Sequence, residues 1–104
     1  MFYLFKKPKG KLSEVDCSAE AFLAWAKGRD PDEGYQFTDC TDCAFARYLR
    51  SQGVDASVSV GTWRERKGSF YYPYDRRLDF SGALQAKTMG EAVSLLEKNL
   101  KGDN

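Results

Sequence analysis

The chain has no histidine and no isoleucine, and its three cysteines are an odd number. Without histidine, neither a Cys–His pair nor a Ser–His–Asp triad can be assembled within it, because both need the imidazole as the base beside the nucleophile. Zinc prefers four Cys or His ligands, so a site on Cys17, Cys40 and Cys43 would need Asp39, Asp42 or a second subunit to complete it. An odd number of cysteines fits a reducing compartment better than a disulfide framework. Long apolar runs are lacking too, and none approaches the ~20 residues that cross a bilayer. At the N-terminus, Met1-Phe2-Tyr3-Leu4-Phe5 precedes Lys6 and Lys7, which puts the charges on the wrong side for a secretory signal. Together these features predict a cytoplasmic protein with no membrane partner. A glycine-rich phosphate loop of familiar spacing is missing as well, and no cofactor is expected.

Charge of one sign is the next absence. With 16 basic and 15 acidic residues the formal net charge is +1, so the chain lacks the overall field of a dedicated nucleic-acid binder, although a local patch is compatible with it. Aromatics, by contrast, are plentiful, with 7 Phe, 6 Tyr and 2 Trp. Each ring removes a large area from water, which offsets a modest supply of Leu and Val and the missing Ile. At 104 residues the length suits one domain, residues 1–104, with one core.

The apolar pattern predicts an α+β fold of about three helices packed on an antiparallel sheet of about four strands. A strand is expected at 2–5, ending at the Lys6, Lys7, Lys9 and Lys11 cluster around Pro8 and Gly10. Asp16 or Ser18 can cap a helix over about 18–27, with Ala19, Phe22, Leu23 and Ala26 on its apolar face and Gly28 at its end. Residues 29–34 read as an exposed loop. A second helix is expected over roughly 41–52, capped by a hydroxyl or carboxylate from 38–42 and closed by Gly53. Val54, Ala56, Val58 and Val60 alternate with polar residues, as in a half-buried strand. Trp63 to Tyr74 reads as a hairpin turning near Lys67-Gly68 and stopped by Pro73. Residues 75–87 fit a short strand or a loop. Thr88 and Glu91 form a capping box that opens a third helix, with Met89, Ala92, Val93, Leu96 and Leu100 on one face and Gly102 closing it.

One motif, Cys40-Thr41-Asp42-Cys43, has a recognised chemical meaning. At a helix N-terminus the backbone N–H groups lower a thiol pKa, so Cys40 could attack and Cys43 resolve in thiol–disulfide exchange. The same pair with Cys17 supplies half of a zinc site. The alternative is that Cys43 is a small apolar core residue and Cys17 and Cys40 are inert.

Two features favour binding over catalysis. In the hairpin segment, Trp63, Phe70, Tyr71, Tyr72 and Tyr74 interleave with Arg64, Arg66, Lys67, Arg76 and Arg77. Strand alternation puts Trp63 and Glu65 on one face, Arg64 and Arg66 on the other, and sets Phe70 and Tyr72 against Tyr71. One face can then fill the core while the other presents aromatic and cationic groups, the residue types of interface hot spots and of stacking platforms for single strands. The candidate binding surface is therefore Arg64, Arg66, Lys67, Tyr71 and Tyr74, with Arg76 and Arg77. The second feature is charge asymmetry. Residues 30–42 hold Asp30, Asp32, Glu33, Asp39 and Asp42 with no base, a patch able to steer a partner or simply to solvate loops.

The run Tyr35-Gln36-Phe37-Thr38-Asp39, with Cys43-Ala44-Phe45-Ala46-Arg47-Tyr48-Leu49 and Gly53, resembles a segment of small phage and prophage proteins. It covers about a fifth of the chain and carries no catalytic residues across. The resemblance implies a protein that obstructs a host defence complex, as anti-CRISPR proteins do, with a host protein complex as partner, one holding nucleic acid included. A nucleic-acid-binding accessory protein, and a thiol or zinc protein, are the alternatives.

Overall fold

The computed structural model describes residues 15–102; the strand expected at 2–5 and the four lysines after it lie outside them. Helix α1 (Ala19–Lys27) begins where Ser18 accepts a hydrogen bond from the Ala21 N–H and ends at Gly28, as the sequence predicts. Helix α2 (Ala44–Ser51) starts later than expected. Cys43 takes the N-cap position and provides no side-chain cap, because the carboxylates before it are engaged elsewhere, Asp42 with Arg47. Asp39 accepts from both the N–H and the hydroxyl of Thr41. At the other end Gly53, at φ 85°, makes the paired bonds of a left-handed C-cap. Its N–H reaches the Arg50 carbonyl at 3.0 Å and the Val54 N–H reaches that of Leu49 at 3.0 Å.

Three antiparallel strands follow, β1 (Ala56–Val58), β2 (Thr62–Glu65) and β3 (Tyr72–Pro73), in the order β1-β2-β3. Val58 faces Trp63 and Trp63 faces Tyr72, so these three share a sheet face with Ala56, and Ser57 and Arg64 occupy the other. The expected return strand is shorter than the aromatic run, with Phe70 and Tyr71 preceding it. The segment that fits a short strand or a loop is instead helical. Asp75 caps α3 (Arg76–Ser81), which stops at Gly82 in the left-handed region, and a 3-10 turn covers Ala83–Gln85. Helix α4 (Met89–Gly102) closes the described chain. The fold is α+β, with four helices and a three-stranded antiparallel sheet among the described residues.

The core joins the helices to the inner sheet face. Trp63, Phe22, Phe45, Leu49, Leu78, Met89 and Leu96 are its largest fully buried side chains, each contributing about 1.5–3 kcal/mol of apolar transfer. Phe22, Trp25, Phe45, Tyr48 and Tyr74 form a run of tilted and edge-on ring contacts between 4.9 and 6.1 Å, filling with rings the volume that Ile would otherwise supply. Helix α4 packs on α1 and α3, and α2 packs on β1. The loop before α2 is not loose. Met89 and Gly90 donate to the carbonyls of Glu33 and Pro31, and Tyr35 donates to that of Lys87, tying the loop to the start of α4. No helix among the described residues is long and apolar enough to cross a membrane.

Candidate functional site

The hairpin and α3 divide the expected surface residues into three groups. Arg66 and Lys67 lie exposed on the loop after β2, and Arg76 lies exposed at the start of α3. Arg66 has Asp55 at 3.7 Å, both side chains being well solvated, a pair of little energetic consequence. Lys67 and Arg76 make no ion pair among the described residues, and Arg76 lies over the Phe80 ring at 5.2 Å. Tyr71 is exposed as expected. These four residues keep the predicted place.

Arg64 and Arg77 are engaged within the fold instead. The Arg64 guanidinium donates to the carbonyls of Glu65, Arg66 and Gly68, holding the loop after β2 in shape. Arg77 is held between Glu20 of α1 and Asp75, at 2.6 and 2.7 Å. Asp75 in turn accepts from the Ala19 N–H at 2.8 Å, so the cap of α3 also fixes the start of α1. The Arg77 guanidinium holds the Asp75 carboxyl down at about 2.

Tyr74 is the correction. It was expected on the outer face, but it is 5% exposed and packs on Phe45. The reason is chain direction: Pro73 ends β3, and Tyr74 turns inward on the way to the Asp75 cap. Its hydroxyl receives the Gly61 N–H at 3.0 Å and has the Ser59 carbonyl at 2.7 Å and Asp79 Oδ1 at 2.9 Å. One phenol thus ties the β1–β2 turn to α3. Burial pushes its pKa well above the ordinary tyrosine value.

Sequence reasoning missed part of this surface. Val60, Phe70, Tyr71, Phe80 and Phe37 are 87%, 77%, 63%, 71% and 42% exposed, and four of these five large apolar side chains fall within residues 60–80. Phe80 and Asp79 were readable in principle. Asp75 followed by Gly82 spans a one-and-a-half-turn helix, and with Leu78 buried inward Phe80 must point about 200° away.

The cysteines do not gather. Among the described residues no three Cys, Asp or Glu side chains form a group able to hold a metal, so the set Cys17, Cys40 and Cys43 is not assembled as a site. Cys43, the expected resolving thiol, is buried, and burial pushes its pKa up. Burial also raises Cys17; the neighbouring Trp63 N–H, buried without a hydrogen bond of standard geometry, moderates that rise. Cys40 is exposed and has the Ser57 hydroxyl at 3.3 Å.

Comparisons with family models, curated proteins and solved structures find no match to this chain.

The acidic stretch is spent in part within the fold. Arg47 donates to Asp42 in a two-pronged pair and to Glu33 at 3.1 Å, and Arg29 closes on Glu33 at 2.8 Å. The Arg29 bond comes first among the causes that lower the Glu33 pKa. Asp30 caps the turn at Asp32. Glu33 and Asp42 therefore fasten the loop to α2 through Arg47, while Asp30, Asp32 and Asp39 stay exposed and make no ion pair among the described residues.

Proposed function

We propose that the chain is a non-catalytic protein-binding module whose contact surface runs from the β2–β3 loop through α3. The observation that carries this reading is the exposure of Phe70, Tyr71 and Phe80 beside Arg66, Lys67 and Arg76. Exposed aromatics set among cations have the composition of an interface centre. Arg64, Arg77 and Tyr74, engaged elsewhere, hold this surface in shape. The resemblance of residues 35–53 to phage proteins extends the proposal: the partner is a bacterial host protein complex, and the action is obstruction of a defence complex in the manner of an anti-CRISPR protein, inside the cytoplasm. The absence of histidine, cysteines that do not gather into a site among the described residues and the pairing of Glu33 and Asp42 with Arg29 and Arg47 support a role without catalysis.

The test is capture of partners by the tagged protein from bacterial lysate, with and without nuclease, beside a variant carrying Phe70→Asp, Tyr71→Asp and Phe80→Asp. We expect a discrete protein complex that survives nuclease and is lost by the variant. The same surface also suits the second reading, stacking of single-stranded nucleic acid on Phe70 and Tyr71 with Arg66 and Lys67 at the phosphates. Recovery that vanishes with nuclease and falls steeply with salt would favour that reading instead, because phosphate contacts release counterions.

A further inference from the structure

The bond network of Tyr74 borders a groove of about 220 Å³ between the β1–β2 turn, residues 37–43 and α3. Phe37, Val60 and Leu84 give it apolar walls, and Asp79, Tyr74 and Cys40 also line it. Asp79 Oδ1 is occupied by the Tyr74 hydroxyl at 2.9 Å. The second carboxylate oxygen makes no hydrogen bond, and Asp79 makes no ion pair, among the described residues. Of the two cations on the same helix, Arg77 is held by Glu20 and Asp75 and Arg76 lies over Phe80. An apolar slot with a carboxylate on its wall is complementary to a long cationic side chain, whose methylene stem packs on the walls while its head reaches the acid.

We propose that this groove receives one arginine or lysine side chain from a basic segment of the protein partner, with Asp79 as its counter-ion; the inference rests on the binding reading above and names the chemistry of the partner. The stem lies between Phe37, Val60 and Leu84, and the head donates to the open Asp79 oxygen. The same carboxylate repels phosphate, so the groove favours protein over nucleic acid at this end of the surface.

The test uses acetyl-Leu-Arg-Leu-amide and its citrulline counterpart, which has nearly the same shape and no charge. Binding is read from amide NMR shifts at Val60, Gly61 and Asp79, and from the rate at which iodoacetamide alkylates Cys40, which shares the groove. We expect saturable shifts at these residues in about the millimolar range, slower alkylation of Cys40, and binding of the citrulline peptide weaker by about tenfold. Asp79→Asn keeps an acceptor for the Tyr74 hydroxyl and should lose the preference for arginine. Equal binding of the two peptides, or no saturable shift at about 10 mM arginine peptide, would overturn the proposal. So would capture of a lysate partner by Asp79→Asn as fully as by the unaltered protein, an outcome that leaves the Phe70–Phe80 surface standing.

Discussion

Asp75 sits where α1 and α3 meet, and acid titration should expose its contribution. Its carboxylate accepts from the Arg77 side chain, the Arg77 N–H and the Ala19 N–H, and the side chain is 16% exposed. The Arg77 guanidinium is the main cause that holds its pKa at about 2, against 3.8 for the ordinary residue. A carboxyl depressed on folding adds stability above its unfolded pKa, and that stability disappears as pH falls through the folded value. A depression of about 1.8 units, at about 1.36 kcal/mol per unit, corresponds to about 2 kcal/mol, present above pH ~4 and lost toward pH ~2. The raised pKa of Arg77 reports the same interaction from the other side and adds nothing further. Glu20, which also touches Arg77, is exposed, and the Arg77 guanidinium lowers its pKa.

The perturbation is Asp75→Asn, followed by urea denaturation with tryptophan fluorescence between pH 2 and 6. At pH 6 the variant should be less stable by about 2 kcal/mol. Below pH 4 the two proteins should converge, because protonated Asp75 and asparagine are both neutral. Other lowered carboxyls, such as Glu33 and Asp39, titrate in both proteins and cancel in the difference. Parallel curves, with the gap unchanged down to pH 2, would refute the reasoning. They would mean that Asp75 is not held low in the folded state and acts as a neutral cap.

Two further substitutions probe how the surface is held. Tyr74→Phe keeps the ring on Phe45 but removes the acceptor of the Gly61 N–H and the one hydroxyl proton shared by the Ser59 carbonyl and Asp79; a loss of about 2 kcal/mol is expected in the unfolding free energy from urea denaturation, and a loss under about 0.5 kcal/mol would mean that water replaces the hydroxyl. Gly90→Ala should destabilise although it sits in a helix. Alanine would gain about 1 kcal/mol there in open space, but its Cβ would meet Pro31 at 2.9 Å and the Pro31 carbonyl at 3.0 Å. Overpacking of about 1–3 kcal/mol outweighs the gain, so a raised melting temperature would contradict the close approach of the loop to α4.

The elements with local signals were legible in the sequence. Ser18 and Gly28 mark the ends of α1, Gly53 marks the end of α2, and Thr88 with Glu91 marks the start of α4, where the Glu91 N–H reaches the Thr88 hydroxyl at 3.2 Å. Each is a backbone group satisfied by a neighbour within a few residues, which one sequence can reveal. Glu91 departs from the simple pattern by reaching the Lys87 N–H. The start of α2 was not legible, because four capping residues, Thr38, Asp39, Thr41 and Asp42, stand close together and compete. Asp39 and Asp42 are drawn away by Thr41 and Arg47, and the helix begins only after Cys43. Nor does local pattern report that Arg47 and Glu33 will meet across 14 residues of chain.

The candidate surface shows the same division between near and distant information. Alternation correctly separates Trp63 from Arg64, because the rule acts between adjacent residues of a paired strand. It fails at Tyr74, which follows Pro73 and has left the sheet; its direction is set by the Asp75 cap and the ring of Phe45. That failure carries physical content. A tyrosine held inward by Gly61, Ser59 and Asp79 couples the turn bearing Val60 to the helix bearing Phe80, so these two exposed apolar side chains share one buried support. Such a support fixes Val60 relative to α3, which reduces the ordering entropy that the proposed partner would have to overcome on binding. It follows that Tyr74, which lines the proposed groove, should influence binding through the position of Val60 and Asp79, whereas Arg77, which seats α3 against α1, should act mainly on stability.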